Sequence, residues 1–300
     1  MRRALLLLIA LSAGPTASPA PAPPIVRVGV FGLFHTVELT VSAGGSIVSL
    51  RGDRDGCVLR GDARARVNLA GGSLHVTCAG AAFTTNAVQA AGAGGEPGDF
   101  ELSVPGRITR RFHGRLAVTA AGGELVPVVA MDLETAVASV VGAEQIMSAP
   151  PEALKAQAVA ARSFFVASGP RHRGFDFCDT THCQFLREPT TGAHPAARAT
   201  RETAGLVLAY RGAPIAAFYS ASCGGHTRTL IEAGLDPGEG YPYFGVECAL
   251  PSRRDAPAER NGHGIGLCQE GAASMAAQHG ASFAEILRHY YPETTLGPVR

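Results

Sequence analysis

The sequence predicts an α+β protein, with a strand-rich N-terminal part followed by a mixed α/β domain. Two observations carry this. Up to about Pro105, apolar residues tend to alternate in short runs broken by glycines, as in strands bounded by turns. From Val137 onward, apolar residues recur at helical spacing between Pro, Gly and Ser signals. The chain has 300 residues, 46% of them hydrophobic, enough for one large core or two smaller ones.

Arg2 and Arg3 precede an apolar run from Ala4 to Ala13, broken only by Ser12, and small residues and prolines follow. This is the pattern of a secretory signal peptide cleaved between about Ala17 and Ala22. Its apolar core is far shorter than the ~20 residues of a membrane span. Residues 1–22 are assigned to this signal and the start of a Pro/Ala linker, 25–105 to the strand-rich region and 106–300 to the mixed domain. Export places the seven cysteines in an oxidising compartment where they can pair.

Ile25 to Val30 alternates in part and Thr36 to Val41 strictly, with Gly32 between them and Gly44-Gly45 after, so both are expected strands. Cys57 and Cys78 fall on neighbouring candidate strands and are an expected disulfide. Gln89 to Asp99, rich in Ala and Gly without periodicity, is expected to be a loop. Pro151 to Ala167 is the clearest helix. Leu154, Ala158, Ala161 and Phe165 form one stripe, Pro151 suits the first helical position, Glu152 the positive end of the dipole, and Gly169-Pro170 the stop. Ser282 to Glu285 is a capping-box pattern that opens a helix to about Tyr290.

Net charge is +1 with 17% charged residues, and no basic stripe marks a nucleic-acid binder. There is no Trp, so a saccharide groove would rely on Tyr, Phe and polar groups. His172, Cys178, His182 and Cys183 lie within twelve residues. Two thiolates and two imidazoles are a common tetrahedral zinc set, although adjacent His182 and Cys183 can both ligate only across a sharp turn. The competing reading is a Cys178–Cys183 disulfide. Cys268 is expected to be a small buried side chain, its alternative a nucleophile with His263 as base.

Three runs stand in order along the chain. Val140 to Glu144 leads through a short connector into Pro151 to Phe164. Ala217 to Thr227 contains Tyr-Ser-Ala-Ser-Cys-Gly-Gly-His. Gly262 to Ala272 contains Gly-His-Gly-Ile-Gly-Leu-Cys-Gln and leads to Ile286 to Pro292. Together they resemble the SpoIID/LytB family (sporulation stage II protein D and amidase enhancers) over roughly Arg107 to Pro292. The resemblance implies an exported, cell-wall-directed protein that cleaves peptidoglycan glycan strands, typically denuded of stem peptides, as a lytic transglycosylase. The alternative within the family is a glycan-binding enhancer of a partner cell-wall amidase. The family's catalytic Glu falls on Glu144. A departure follows it, since Gln145-Ile146-Met147 stands where the family has Met directly after the Glu. Some members carry a metal site near His172 to Cys183, which adds to the zinc reading, and exported members often show a disulfide matching Cys223–Cys248.

The chemistry fits the residues. A glycosidic oxygen leaves when protonated, and a carboxyl with a raised pKa is the usual donor. Hydrolases add a second carboxylate. A lytic transglycosylase manages with one, because the sugar's own 6-hydroxyl attacks the anomeric carbon. The neighbours of Glu144 are apolar, which favours its protonated form. No cofactor is required for that chemistry, and a zinc would be structural. Lys155, Gln157, Arg162, Tyr219, Ser222, His263 and Gln269 are the expected substrate-binding residues, each with packing as its alternative.

Overall fold

The computed structural model describes residues 24–78, 80–144, 148–236, 238, 240–248 and 259–299. The signal-peptide expectation and the Gln145 to Met147 departure lie outside them. Eleven strands come first. They are β1 (Ile25–Gly29), β2 (Glu38–Ser42), β3 (Ile47–Arg51), β4 (Gly56–Arg60), β5 (Arg64–Ala70), β6 (Ser73–Cys78), β7 (Ala81–Thr85), β8 (Val88–Ala91), β9 (Gly98–Val104), β10 (Ile108–Ala121) and β11 (Glu124–Asp132). Helices α1 (Leu133–Glu144) and α2 (Pro151–Ser168), the short strand β12 (Phe177–Cys178) and helix α3 (Pro195–Glu202) follow. The remainder is made of small strands, β13 (Leu206–Tyr210), β14 (Ala213–Pro214), β15 (Tyr219–Ser220), β16 (Ser222–Cys223), β17 (Arg260–Asn261) and β18 (Leu267–Cys268), then α4 (Gln269–His279), α5 (Phe283–Tyr290) and β19 (Thr295–Pro298). The α+β class holds.

The large sheet runs β12-β1-β11-β10-β9-β2-β5-β6-β7, with β3, β4 and β8 attached through β10. Its axis is the long strand β10. Residues 108–114 pair with β9, and residues 115–121 pair with β11. The change of partner falls at Gly114, where φ is 149° and a Cβ would stand 2.3 Å from the Ala130 carbonyl oxygen. Only glycine lets the strand turn there. The β9–β10 ladder crosses the boundary expected between residues 105 and 106, so the N-terminal strands and the later part share one sheet. Alternation sends Leu39, Val41, Val67, Val76, Phe100, Leu102, Phe112 and Leu116 into its core.

Two expectations change here. Of the loop expected over Gln89 to Asp99, Gln89 to Ala91 belong to β8, which pairs with both β10 and β3, and Gly98 and Asp99 open β9, which leaves residues 92–97 as the connection, with one 3-10 turn at Ala93–Gly95. Ala supplied no strand propensity, and the pairing is tertiary. Cys57 and Cys78 are bridged, but their strands are not ladder neighbours. β4 pairs with β3 and β6 with β5 and β7, so the bridge ties two separate parts of the sheet.

Helix α2 lies between two cores. Leu154, Ala158, Ala161, Phe164 and Phe165 face the core that contains the large sheet. Ala153, Ala156, Val159 and Ala160 face a second core with Leu208, Ile265, Leu267, Ile286, Leu287, Tyr290 and Tyr291. Among the described residues no helix is long and apolar enough to cross a membrane.

Candidate functional site

Helix α1 carries Glu144 as its last residue. Asp132 caps the start of the helix, accepting from the backbone N–H (2.8 Å) and the hydroxyl (2.5 Å) of Thr135. Ala136, Val137, Val140 and Val141 bury its inner face. Gly142 allows the 185–190 segment to lie against the helix, since a Cβ there would meet Thr190 Cγ2 at 2.4 Å. Thr190 in turn donates its hydroxyl hydrogen to the Ala138 carbonyl at 2.8 Å.

Glu144 opens into a groove of about 390 Å³. Its walls come from the 181–185 loop, from Ala217 to Ala221, from Asn261 to His263 and from Gln269. Burial pushes the Glu144 carboxyl above its ordinary range, and the Phe185 N–H and Tyr219 hydroxyl pull it partly back. The Phe185 N–H donates to Glu144 Oε1. The Tyr219 hydroxyl donates to Gln184 Oε1 at 2.9 Å. Burial is the larger influence on Glu144 and favours the carboxylic acid. Among the described residues the groove lining holds no second carboxylate.

The other walls are fixed by backbone geometry. β15 and β18 pair in parallel through Tyr219–Leu267 and Ser220–Cys268. Gly266 permits this approach, because a Cβ there would sit 2.1 Å from the Phe218 carbonyl oxygen. Gln269, at the start of α4, donates from Nε2 to the Glu144 backbone carbonyl at 2.8 Å. His263 Nδ1 accepts from the Ile265 N–H at 2.9 Å, and its ring meets Phe218 edge-on. Desolvation favours its neutral form, so Nε2 carries the proton. Ser220 Oγ is buried in the lining without a partner.

The Cys/His cluster adjoins this groove. The ligand atoms of His172, Cys178, His182 and Cys183 all lie within 4.8 Å of one another. Cys178 and Cys183 are separate thiols with their sulfurs 3.2 Å apart. The turn that adjacent ligands require is present, with the Cys183 N–H donating to the Thr180 carbonyl at 3.0 Å. Cys178 is fixed to the sheet edge by the parallel pairing of β12 with β1. Next to it, Asp179 forms a buried ion pair with Arg110 at 2.9 Å. His182 and Cys183 also line the groove.

The sequence model of the SpoIID family, described as Stage II sporulation protein, matches residues 121–210. The chain carries a SpoIID domain. The matched segment includes Glu144 and the whole Cys/His cluster, and the SpoIID family acts on peptidoglycan. A stretch of 137 residues is 30% identical to an uncharacterised protein of Brachyspira hyodysenteriae, covering 45% of this chain and 36% of that relative. The chain thus spans little more than a third of the relative's length.

Within and around the SpoIID domain, the expected site residues fall into two groups. Glu144, Tyr219, His263 and Gln269 meet in the groove. Lys155, Gln157, Arg162 and Ser222 do not line it. Lys155 bridges Glu152 and Glu202, each at 2.8 Å. Arg162 is fully buried, donating to Glu134 at 2.6 and 2.8 Å and to the Leu206 carbonyl. Gln157 and Ser222 are buried by packing. The physical reason is that α2 is covered on both sides by the two cores, which leaves its polar residues no open groove. Gln184, Phe185 and Asn261 join the site without a sequence signal, since a backbone N–H and a loop amide leave no pattern in residue type. Cys223 and Cys248 are separate thiols, and Cys268 lies beside them.

Proposed function

We propose that this protein is a peptidoglycan lytic transglycosylase that cuts denuded glycan strands with Glu144 as the single general acid and base. The observation that carries the reading is one carboxyl, held above its ordinary range by burial, in a groove whose described lining has no second carboxylate. A hydrolase would need that second group for water or for a covalent intermediate. With one carboxyl, Glu144 protonates the leaving glycosidic oxygen. The same carboxylate then takes the proton from the muramic acid 6-hydroxyl as that oxygen bonds to the anomeric carbon, closing a 1,6-anhydro ring. Atoms balance without water.

Tyr219 and the Phe185 N–H hold the carboxyl, and Gln269 holds the end of its helix through the Glu144 carbonyl. Asn261 and His263, both exposed in the groove lining, offer polar groups to sugar hydroxyls and N-acetyl groups. His172, Cys178, His182 and Cys183 fit a zinc ion by donor type and by convergence. Bound there, zinc would supply a structural crosslink, since four protein ligands leave no position for an activated water. Its role would be to fix the loop that presents His182, Cys183 and Phe185 to the groove. We place the working protein outside the cytoplasm, at the cell wall.

The test is mass spectrometry of denuded glycan strands after incubation with the mature protein and with Glu144→Gln. Products ending in 1,6-anhydro-muramic acid are expected with the native chain. The variant should lose at least ~10²-fold in rate, the lower range for a general acid–base group. Intact strands with both proteins, and retained binding, would move the reading to a glycan-binding enhancer of a cell-wall amidase.

A further inference from the structure

A second cluster of metal-ligating atoms lies away from the His172 loop. The sulfurs of Cys223, Cys248 and Cys268 come within 4.8 Å of one another. They arrive from three separate segments, namely strand β16, the segment that carries Cys248, and strand β18 where it enters α4. Among the described residues no His, Asp or Glu joins them. The chain bridges Cys57 with Cys78 but holds these three as separate thiols.

The surroundings are shaped around the sulfurs. Cys268 Sγ accepts from the Cys223 N–H at 3.3 Å and from the Gly271 N–H at 3.4 Å, at the positive end of α4. The Tyr290 hydroxyl lies 2.9 Å from Cys248 Sγ. Gly271 leaves the space that the Cys248 sulfur occupies, since a Cβ there would stand 2.1 Å from it and 2.1 Å from the Tyr290 hydroxyl oxygen. The Cys248 backbone is anchored by donating to the Gly225 carbonyl at 2.9 Å. Cys223 and Cys268 are fully buried, while Cys248 is half-buried and gives access from the surface.

We propose that Cys223, Cys248 and Cys268 form a second metal site, an all-sulfur, three-coordinate site for a soft monovalent cation, copper(I). All three sulfurs converge, whereas a disulfide joins only two. Thiolates favour soft cations, and zinc ordinarily takes a fourth donor that these residues do not provide. The consequence reaches the groove, because Gln269, which holds the Glu144 carbonyl, follows Cys268 directly. A bound ion would clamp the start of α4 and with it that hydrogen bond.

The test uses the mature full chain with its His172 cluster first saturated with zinc(II). Copper(I) is then titrated anaerobically against a chromogenic copper(I) chelator. One tightly bound equivalent is expected, lost in Cys248→Ser, whose half-buried position makes it the mildest of the three replacements. X-ray absorption on the loaded native chain, which needs no variant, should show a first shell of sulfur alone. Equal binding by Cys248→Ser, or nitrogen in that shell, would overturn the proposal. So would a disulfide among the three cysteines in protein alkylated, before any reduction, on recovery from the oxidising compartment.

Discussion

A carboxyl at the end of a helix, facing a half-open groove, is costly to ionise. Glu144 binds its proton more tightly in the fold than in the unfolded chain. The stability this contributes is fully present below the ordinary carboxyl range and is lost as pH rises through the raised folded value. Glu144→Gln, which keeps a carbonyl oxygen for the Phe185 N–H, should therefore melt above the native protein at neutral pH. The gap should close as pH falls below the ordinary carboxyl range. Calorimetry across that range measures it, and a constant gap would mean that desolvation does not govern this group. Gln269 acts at the same scale by positioning. Gln269→Ala leaves the Glu144 carbonyl without its donor, costing about 1–3 kcal/mol. Steady-state kinetics on glycan strands should show kcat falling with KM nearly unchanged, whereas a substrate-binding role would raise KM. The sequence marked Glu144 and Gln269 through their motifs. It could not show that the Gln269 amide serves the backbone of Glu144, because the two are 125 residues apart and only the fold joins them.

Among the elements, α2 shows how periodicity informs and where it stops. The stripe of Leu154, Ala158, Ala161 and Phe165 was readable at helical spacing, and Pro151 begins the helix as expected. The second face, Ala153, Ala156, Val159 and Ala160, was not readable as a core face, because Ala is tolerated equally on an exposed surface. Once both faces are covered, Arg162 has no route to solvent and turns to Glu134 and the Leu206 carbonyl. Replacing it with Leu would strand the Glu134 charge at a cost of about 3–5 kcal/mol. The lower end is expected, since Glu134 keeps 33% of its side chain accessible. Urea unfolding of Arg162→Leu measures the loss, and the double replacement with Glu134→Leu should recover much of it. A loss near zero would show that the pair does not hold the helix. The capping box at Ser282 was legible for the opposite reason, since Ser282 and Glu285 complete it within a single turn.

Across the whole molecule, the groove is assembled where the large sheet's edge, the end of α1 and the β15–β18 pair meet. The 177–185 segment joins these parts. Its first residues pair with β1, Asp179 is locked to Arg110, and Phe185 reaches Glu144. Zinc held by His172, Cys178, His182 and Cys183 would crosslink that segment at its middle. Stripping the metal with a strong chelator should lower Tm and slow glycan cleavage together, and zinc should restore both. Metal analysis beside calorimetry checks this. An unchanged Tm after complete removal would count against a structural metal.

The sequence by itself determined what depends on neighbours along the chain. It carried the α+β class, the strands near Ile25 and Thr36, the helix from Pro151, the capped helix to Tyr290 and the motif residues of the groove. These follow from alternation, helical period and turn chemistry, all local properties. The tertiary structure decided the rest: the strand at Val88–Ala91, the partner change of β10 at Gly114, the burial of Arg162, and the meeting of Cys223, Cys248 and Cys268. Each depends on partners distant in sequence, and a pairing or an enclosure leaves no period in the residues that take part.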